Sequence, residues 1–140
     1  MKFGPLNPRL RSIEAVIETL PILNSGLYTP TITNTTNVAA SIPYECQWAQ
    51  INDKVWVSGK VDIDPTLVSV DTEIGISLPV PSDFGAEEQC GGSANTYALA
   101  SVSAAIYADV VNNRARLRYL NLLDVTNKSW FFYFMYRVIP

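Results

Sequence analysis

The stretch YECQWAQINDKVWVSGKVDI, residues 44–63, decides the fold. On either side of Asn52 and Asp53 lie two runs rich in β-branched and aromatic residues, Tyr44 to Ile51 and Val55 to Ile63. Residues of this kind fit a pleated, half-buried surface. Asn and Asp tolerate the positive φ that a two-residue hairpin turn demands, so the segment reads as an antiparallel hairpin. With Asn52 and Asp53 as the turn, Ile51 pairs with Lys54, Ala49 with Trp56 and Trp48 with Val57. The two tryptophans are then diagonal neighbours on opposite faces. A three-residue loop beginning at Ile51 would instead pair Trp48 with Trp56 directly.

Working outward, Tyr28 to Thr33 reads as an edge strand, because Pro30 cannot donate to a central ladder. Further strands are expected at Thr72 to Leu78, ended by Pro79 and Pro81, at Ala100 to Asp109 and Arg114 to Leu120 around Asn112 and Asn113, and at Ser129 to Ile139. Ser82 to Asn95 and Leu122 to Lys128 read as loops, the first rich in Gly, Ser and acids. Strands in succession without intervening helices indicate an all-β, antiparallel β-sandwich, jelly-roll-like, rather than an α/β fold.

The exception is the N-terminus. Asn7 and Pro8 supply a cap and a first-turn proline, and Pro21 is a stop, so Pro8 to Leu20 is expected to form a short N-terminal helix. Its apolar residues Leu10, Ile13, Ile17 and Leu20 follow the a/d spacing of two heptads. That seam suits self-association, or packing on the chain's own sandwich, since so short a coiled coil does not hold alone. Residues 1–25 are read as an anchor and oligomerisation segment and 26–140 as the β domain.

Composition narrows the chemistry. The 140 residues contain no histidine and two cysteines, which removes Ser-His-Asp and Cys-His catalysis, imidazole zinc sites and a four-cysteine zinc site within one chain. Cys46 and Cys90 stand as buried thiols or as one disulfide. Net charge is −3 and the basic residues form no long run, so nucleic acid is not an expected partner. No apolar run reaches the roughly 18 residues of a membrane helix and no signal peptide is evident, so neither membrane insertion nor export is expected. Apolar residues are 48% of the chain and charged ones 16%, enough to bury a core and to hide surface in an oligomer.

Three further patterns bear on function. In Trp130 to Tyr136 one alternating set is Trp130, Phe132, Phe134 and Tyr136, and the other is Phe131, Tyr133 and Met135. Both faces are apolar and both call for cover, from a central position in the sheet or from another subunit, and Phe132 and Phe134 are assigned to an oligomer interface. An exposed aromatic platform for sugars or bases is the alternative. Arg114, Arg116 and Arg118 share one strand face, as a solvated or salt-bridged stripe or as a fork for an anionic surface. With Glu87, Glu88 and Asn95 they make up the candidate recognition residues. The pairs Asp62 and Asp64, Asp71 and Glu73, and Glu87 and Glu88 match no catalytic spacing, and Asp62, Asp64, Asp71 and Asp83 lack a calcium-loop pattern. No catalytic, cofactor or metal residue is assigned, and the chain is not expected to be an enzyme.

An ordered set of short motifs carries a resemblance. Gly26-Leu-Tyr-Thr-Pro-Thr-Ile-Thr-Asn34, Val38-Ala-Ala-Ser41, Tyr44-Glu-Cys-Gln-Trp48, Val57-Ser-Gly-Lys-Val-Asp62 with Asp64-Pro65, Gly75-Ile-Ser-Leu-Pro79, Gln89-Cys-Gly91, Ala105-Ile-Tyr-Ala-Asp109 and the aromatic end Phe131 to Arg137 together resemble the C-terminal β-sandwich domain of tailed-bacteriophage tail-fibre and other virion structural proteins. The resemblance spans Gly26 to Ile139. It implies a virion protein made in the host cytoplasm, a homotrimeric tip joined to other virion proteins through residues 1–25, and a host glycan or protein as receptor. The short N-terminal segment suits a capsid decoration or head-fibre protein as the alternative, with a polysaccharide depolymerase third. Receptor contacts are expected in the loops at Ser82 to Asn95 and Leu122 to Lys128.

Overall fold

The computed structural model describes residues 20–98, 102–122 and 124–140. The expected helix, with Leu10, Ile13 and Ile17, lies outside the described residues, and Leu20 at its end is exposed. The described residues are all-β, forming one antiparallel sheet of ten strands curled into a half-barrel.

The hairpin at residues 44–63 forms as its turn chemistry dictates. β4 (Cys46–Ile51) and β5 (Lys54–Pro65) pair with Ile51 opposite Lys54, Ala49 opposite Trp56 and Trp48 opposite Val57. Asn52 supplies the left-handed conformation at φ 53°, which an asparagine adopts at little cost. Its side-chain Oδ1 also accepts a hydrogen bond from the Ile22 amide, at 2.9 Å, which ties the entering chain to the turn.

β5 is twelve residues long and organises the rest. One edge pairs along its length with β10 (Lys128–Arg137), while the other pairs first with β4 and then with β3 (Val38–Pro43). β1 (Leu23–Tyr28) is an outer strand on β4. Pro30 lies between β1 and β2 (Ile32–Thr36), so the proline separates two edge segments instead of sitting within one. On the far side of β10 the order runs through β7 (Cys90–Thr96), β8 (Ser103–Asp109), β9 (Arg114–Leu120) and β6 (Asp71–Ile76) to β2. The corner between β2 and β3 is Asn37, at φ 55°, whose side chain bonds the Leu67 backbone at both its amide and carbonyl and also Thr72.

Three strands depart from the sequence reading. β1 begins at Leu23, inside the segment read as an anchor, because Leu23, Asn24 and Ser25 pair with Ile51, Gln50 and Ala49 of β4. β3 has no counterpart among the expected strands, and all but the last residue of β7 falls inside the stretch read as a loop from Ser82 to Asn95. β7 reads Cys-Gly-Gly-Ser-Ala-Asn-Thr, a composition that ordinarily marks a turn. Here it is the inner neighbour of β10, and its small residues make room for the large ones opposite, with Gly92 facing Phe134 and Ala94 facing Phe132.

The inward faces share one core. Val55, Val57, Val61 and Ile63 of β5 meet Trp130, Phe132, Phe134 and Tyr136 of β10, with Ile74, Ile76, Ile106 and Leu117 completing it. Burial of each such side chain stabilises the fold by roughly 1.5–3 kcal/mol before entropy is counted. One end is closed by residues 77–84: the Tyr28 hydroxyl donates to the Ser77 carbonyl, the Tyr136 hydroxyl to the Val80 carbonyl, and Phe84 packs edge-on against Tyr136.

Cys46 and Cys90 are buried free thiols. Burial pushes the Cys90 thiol up to about 12 and raises Cys46 as well. Since the thiolate is the reactive form, neither is expected to react with a thiol reagent at pH 8 in the native protein, and both are expected to react in denaturant. Mass spectrometry after alkylation reads this directly, and rapid labelling of either residue under native conditions would contradict the packing.

Candidate functional site

Strand β10 alternates strictly: Trp130, Phe132, Phe134 and Tyr136 face inward and Phe131, Tyr133 and Met135 face outward. Phe132 and Phe134 are therefore core residues and not interface residues, which corrects their assignment; period-two alternation sends only one set outward. The outward set is exposed, Tyr133 at 62%, Phe131 at 50% and Met135 at 41%.

Register places their neighbours. Phe131 lies between Lys60 of β5 and Asn95 of β7, Tyr133 between Ser58 and Ser93, and Met135 between Trp56 and Gly91. Gln47 stands opposite Ser58 on the next strand and Leu27 opposite Gln47 on β1. Exposed aromatic residues on β5 and β10 are thus flanked by small or polar ones on β4, β5 and β7, with Leu27 of β1 at the margin. Tyr97, itself exposed, sets its ring 6.0 Å from that of Phe131.

Two recesses lie in this face. The first, about 260 Å³, is bordered by Trp56 and Tyr133 and includes Gln47, Ala49 and Ser58. The second, about 470 Å³, is bordered by Leu27, Lys60 and Phe131 and includes Glu45. Gln47 and Ser58 belong to both, joined by a hydrogen bond of 3.1 Å from Gln47 Nε2 to Ser58 Oγ. Lys60 is held by a cation–π contact, its Nζ 4.1 Å from the centre of the Tyr44 ring. The Tyr44 hydroxyl in turn donates to Asp62, which raises its pKa, and Asp62 also accepts from Ser129.

The arginine stripe is on the same outward side, over β9, separated from β10 by β7 and β8. Its charges are met within the chain. Arg114 bonds Asp109 at 2.9 Å, Arg116 lies 3.4 Å from both Glu73 and Asp109, and Arg118 bonds Asp71 at 2.6 Å. Burial alone would raise the Asp109 pKa, but hydrogen bonds from Asn112 and Arg114 and the nearby Arg116 bring it below the usual aspartate value. The stripe is thus a locked network rather than an open fork for an anion.

The remaining sequence candidates do not converge. Glu87 and Glu88 sit on a single 3-10 turn before β7, at the end of the sheet where β10 finishes, whereas Asn95 lies further along β7 beside Phe131. The loop from Ser82 is anchored: Ser82 Oγ donates to the Arg137 carbonyl, the Asp83 amide to the Ile139 carbonyl and the Phe84 amide to Asn113 Oδ1. The Leu122–Lys128 connection is at the opposite end, where β10 begins. The two loops therefore do not form one tip. Among the described residues no group of three or more Cys, Asp or Glu is placed to hold a metal ion.

No family model and no curated protein sequence matches the chain. Among solved structures, the chain is similar to the crystal structure of a reovirus attachment protein, sigma1, in complex with α-2,3-sialyllactose, with a TM-score of 0.52. Sequence identity is 6%, over 84% of this chain and 67% of that one. The likeness is one of fold. It places the described residues beside the β domain of a viral attachment protein, without bearing on the tailed-bacteriophage motifs.

Proposed function

We propose that the chain is a non-enzymatic virion attachment protein, the receptor-binding tip of a tailed-bacteriophage fibre, which meets the host surface through the outward face of β10. The observation that carries this reading is the exposed, contiguous set Trp56, Phe131, Tyr133 and Met135, fixed on the sheet and flanked by the polar side chains of Ser58, Lys60, Ser93 and Asn95. An apolar patch rimmed by polar residues marks an interaction surface. The fold likeness to an attachment protein with a bound sialyllactose supports the same direction. Within this reading the chain is a homotrimer, held to the particle and to its sister copies by the part of residues 1–25 that precedes β1, and its partner is a cell-surface glycan or protein.

Excess purified chain is expected to block adsorption of the parent particle to its host cells. Unchanged adsorption would overturn the attachment role and leave capsid decoration, the second virion role, as the one to pursue by labelling particles with antibody. Light scattering checks the assembly: the whole chain is expected at about three times 15.5 kDa, and a version beginning at Ile22, which keeps β1 and its bond to Asn52, at the monomer mass. A monomer in both cases would remove the trimer.

A further inference from the structure

We propose that the two recesses joined by Gln47 and Ser58 form a saccharide-binding site that holds at least two sugar units, an inference that rests on the attachment reading. The C–H face of a pyranose is apolar and its rim is hydroxylated, so a site for it needs flat aromatic walls beside hydrogen-bonding groups. The first recess has both. Trp56 and Tyr133 are diagonal neighbours on adjacent strands, each substantially exposed, and they border a recess that includes Ser58 and Gln47. The hydrogen bond between these two uses the amide nitrogen of Gln47, leaving its amide oxygen as an acceptor and the Ser58 hydroxyl proton as a donor.

The second recess lies across the same pair and repeats the chemistry. It has Phe131 as its aromatic border, Lys60 as a donor and Glu45 as an acceptor. Around the first recess the flanking residues are small, with Ala49 opposite Trp56 and Ser93 opposite Tyr133, and a side chain added at Gly91 would meet open space; the Phe131 border of the second recess is flanked by Lys60, Asn95 and the Tyr97 ring. A subunit interface would favour continuous apolar cover at Gln47, Ser58 and Ser93, whereas polar residues between aromatic ones suit a ligand that is itself alternately apolar and hydroxylated.

The test is binding of the full-length chain to a printed array of bacterial and animal surface oligosaccharides, repeated with Trp56→Ala and Tyr133→Ala. The wild type is expected to retain a defined subset, and each variant to bind it about tenfold more weakly, the loss of one stacking contact, with melting temperature and solution mass unchanged. Retention of no saccharide, or equal retention by the variants, would overturn the inference. So would a fall in solution mass for Trp56→Ala, which would make this face a contact between copies. A blank array together with successful competition for particle adsorption removes the saccharide assignment alone. Array binding that depends on Trp56, without such competition, removes the attachment role and leaves the site.

Discussion

Gly92→Ala is expected to destabilise the protein by about 3 kcal/mol or more, while Gly91→Ala, one residue away, is expected to stay within about 0.5 kcal/mol of the wild type. The difference lies in what an added methyl group would meet. At Gly92 it would come within 2.2 Å of the Tyr133 carbonyl oxygen and 2.6 Å of the Phe134 Cα, both backbone atoms of the strand that carries the core aromatic residues. Backbone cannot rotate aside as a side chain can, so β7 and β10 must separate and the packing of Phe134 against Val57 must loosen. At Gly91 no atom lies within 4 Å. The urea midpoint of each variant, with the slope of its transition, measures the pair. Similar midpoints for the two would mean that β7 does not approach β10 as closely as the fold requires.

The same strand explains where sequence reading of the fold stopped. The hairpin at Asn52 and Asp53 was legible to the residue, because turn chemistry and alternation fix register locally. Arg114–Leu120 was legible in its bounds for the same reason, lying beyond the asparagine turn that ends at Asn113. β7 was not, because two glycines, a serine and an alanine have no intrinsic preference for a strand; what makes them one is β10 on one side and β8 on the other. β3 likewise depends on a corner at Asn37 whose side-chain bonds to Leu67 and Thr72 reach about thirty residues along the chain. No local pattern announces such contacts.

The candidate site was half legible. The doubly apolar pattern of Trp130 to Tyr136 was plain in the sequence, but which set faces the core depends on the curl of the sheet. The side with Val57 and Val61 opposite Phe134 and Trp130 became the interior, leaving Phe131, Tyr133 and Met135 outside. Trp56 could have been found from the hairpin alone, since its register puts it opposite Ala49 and on the face away from Val55 and Val57. Gln47, Ser58 and Lys60 carry no motif, and only the pairing of β4, β5 and β10 brings them beside the rings.

Asp109→Asn tests the other half of the outward face, where charge rather than ring area dominates. Asp109 is 2% exposed and joins Arg114 and Arg116, which keep only 19% and 27% of their side-chain surface exposed. Removing the carboxylate leaves two guanidinium groups partly buried without their shared counterion, and the expected loss is about 2–3 kcal/mol at pH 7, less than for a fully enclosed pair. Asp71→Asn, which breaks the exposed bond to Arg118, is expected to cost about 1 kcal/mol or less. The two also separate by pH. The folded pKa of Asp109 is below its ordinary value near 3.8, so its contribution is complete above that value and is lost as pH falls through the folded one. The gap in urea midpoint between wild type and Asp109→Asn is therefore expected to hold from pH 7 down to about 5 and to close toward pH 2. A gap independent of pH would assign the loss to packing at Asn112 and the 110–113 turn, and the arginine stripe would then be without the anchor that keeps its guanidinium groups turned to their own carboxylates.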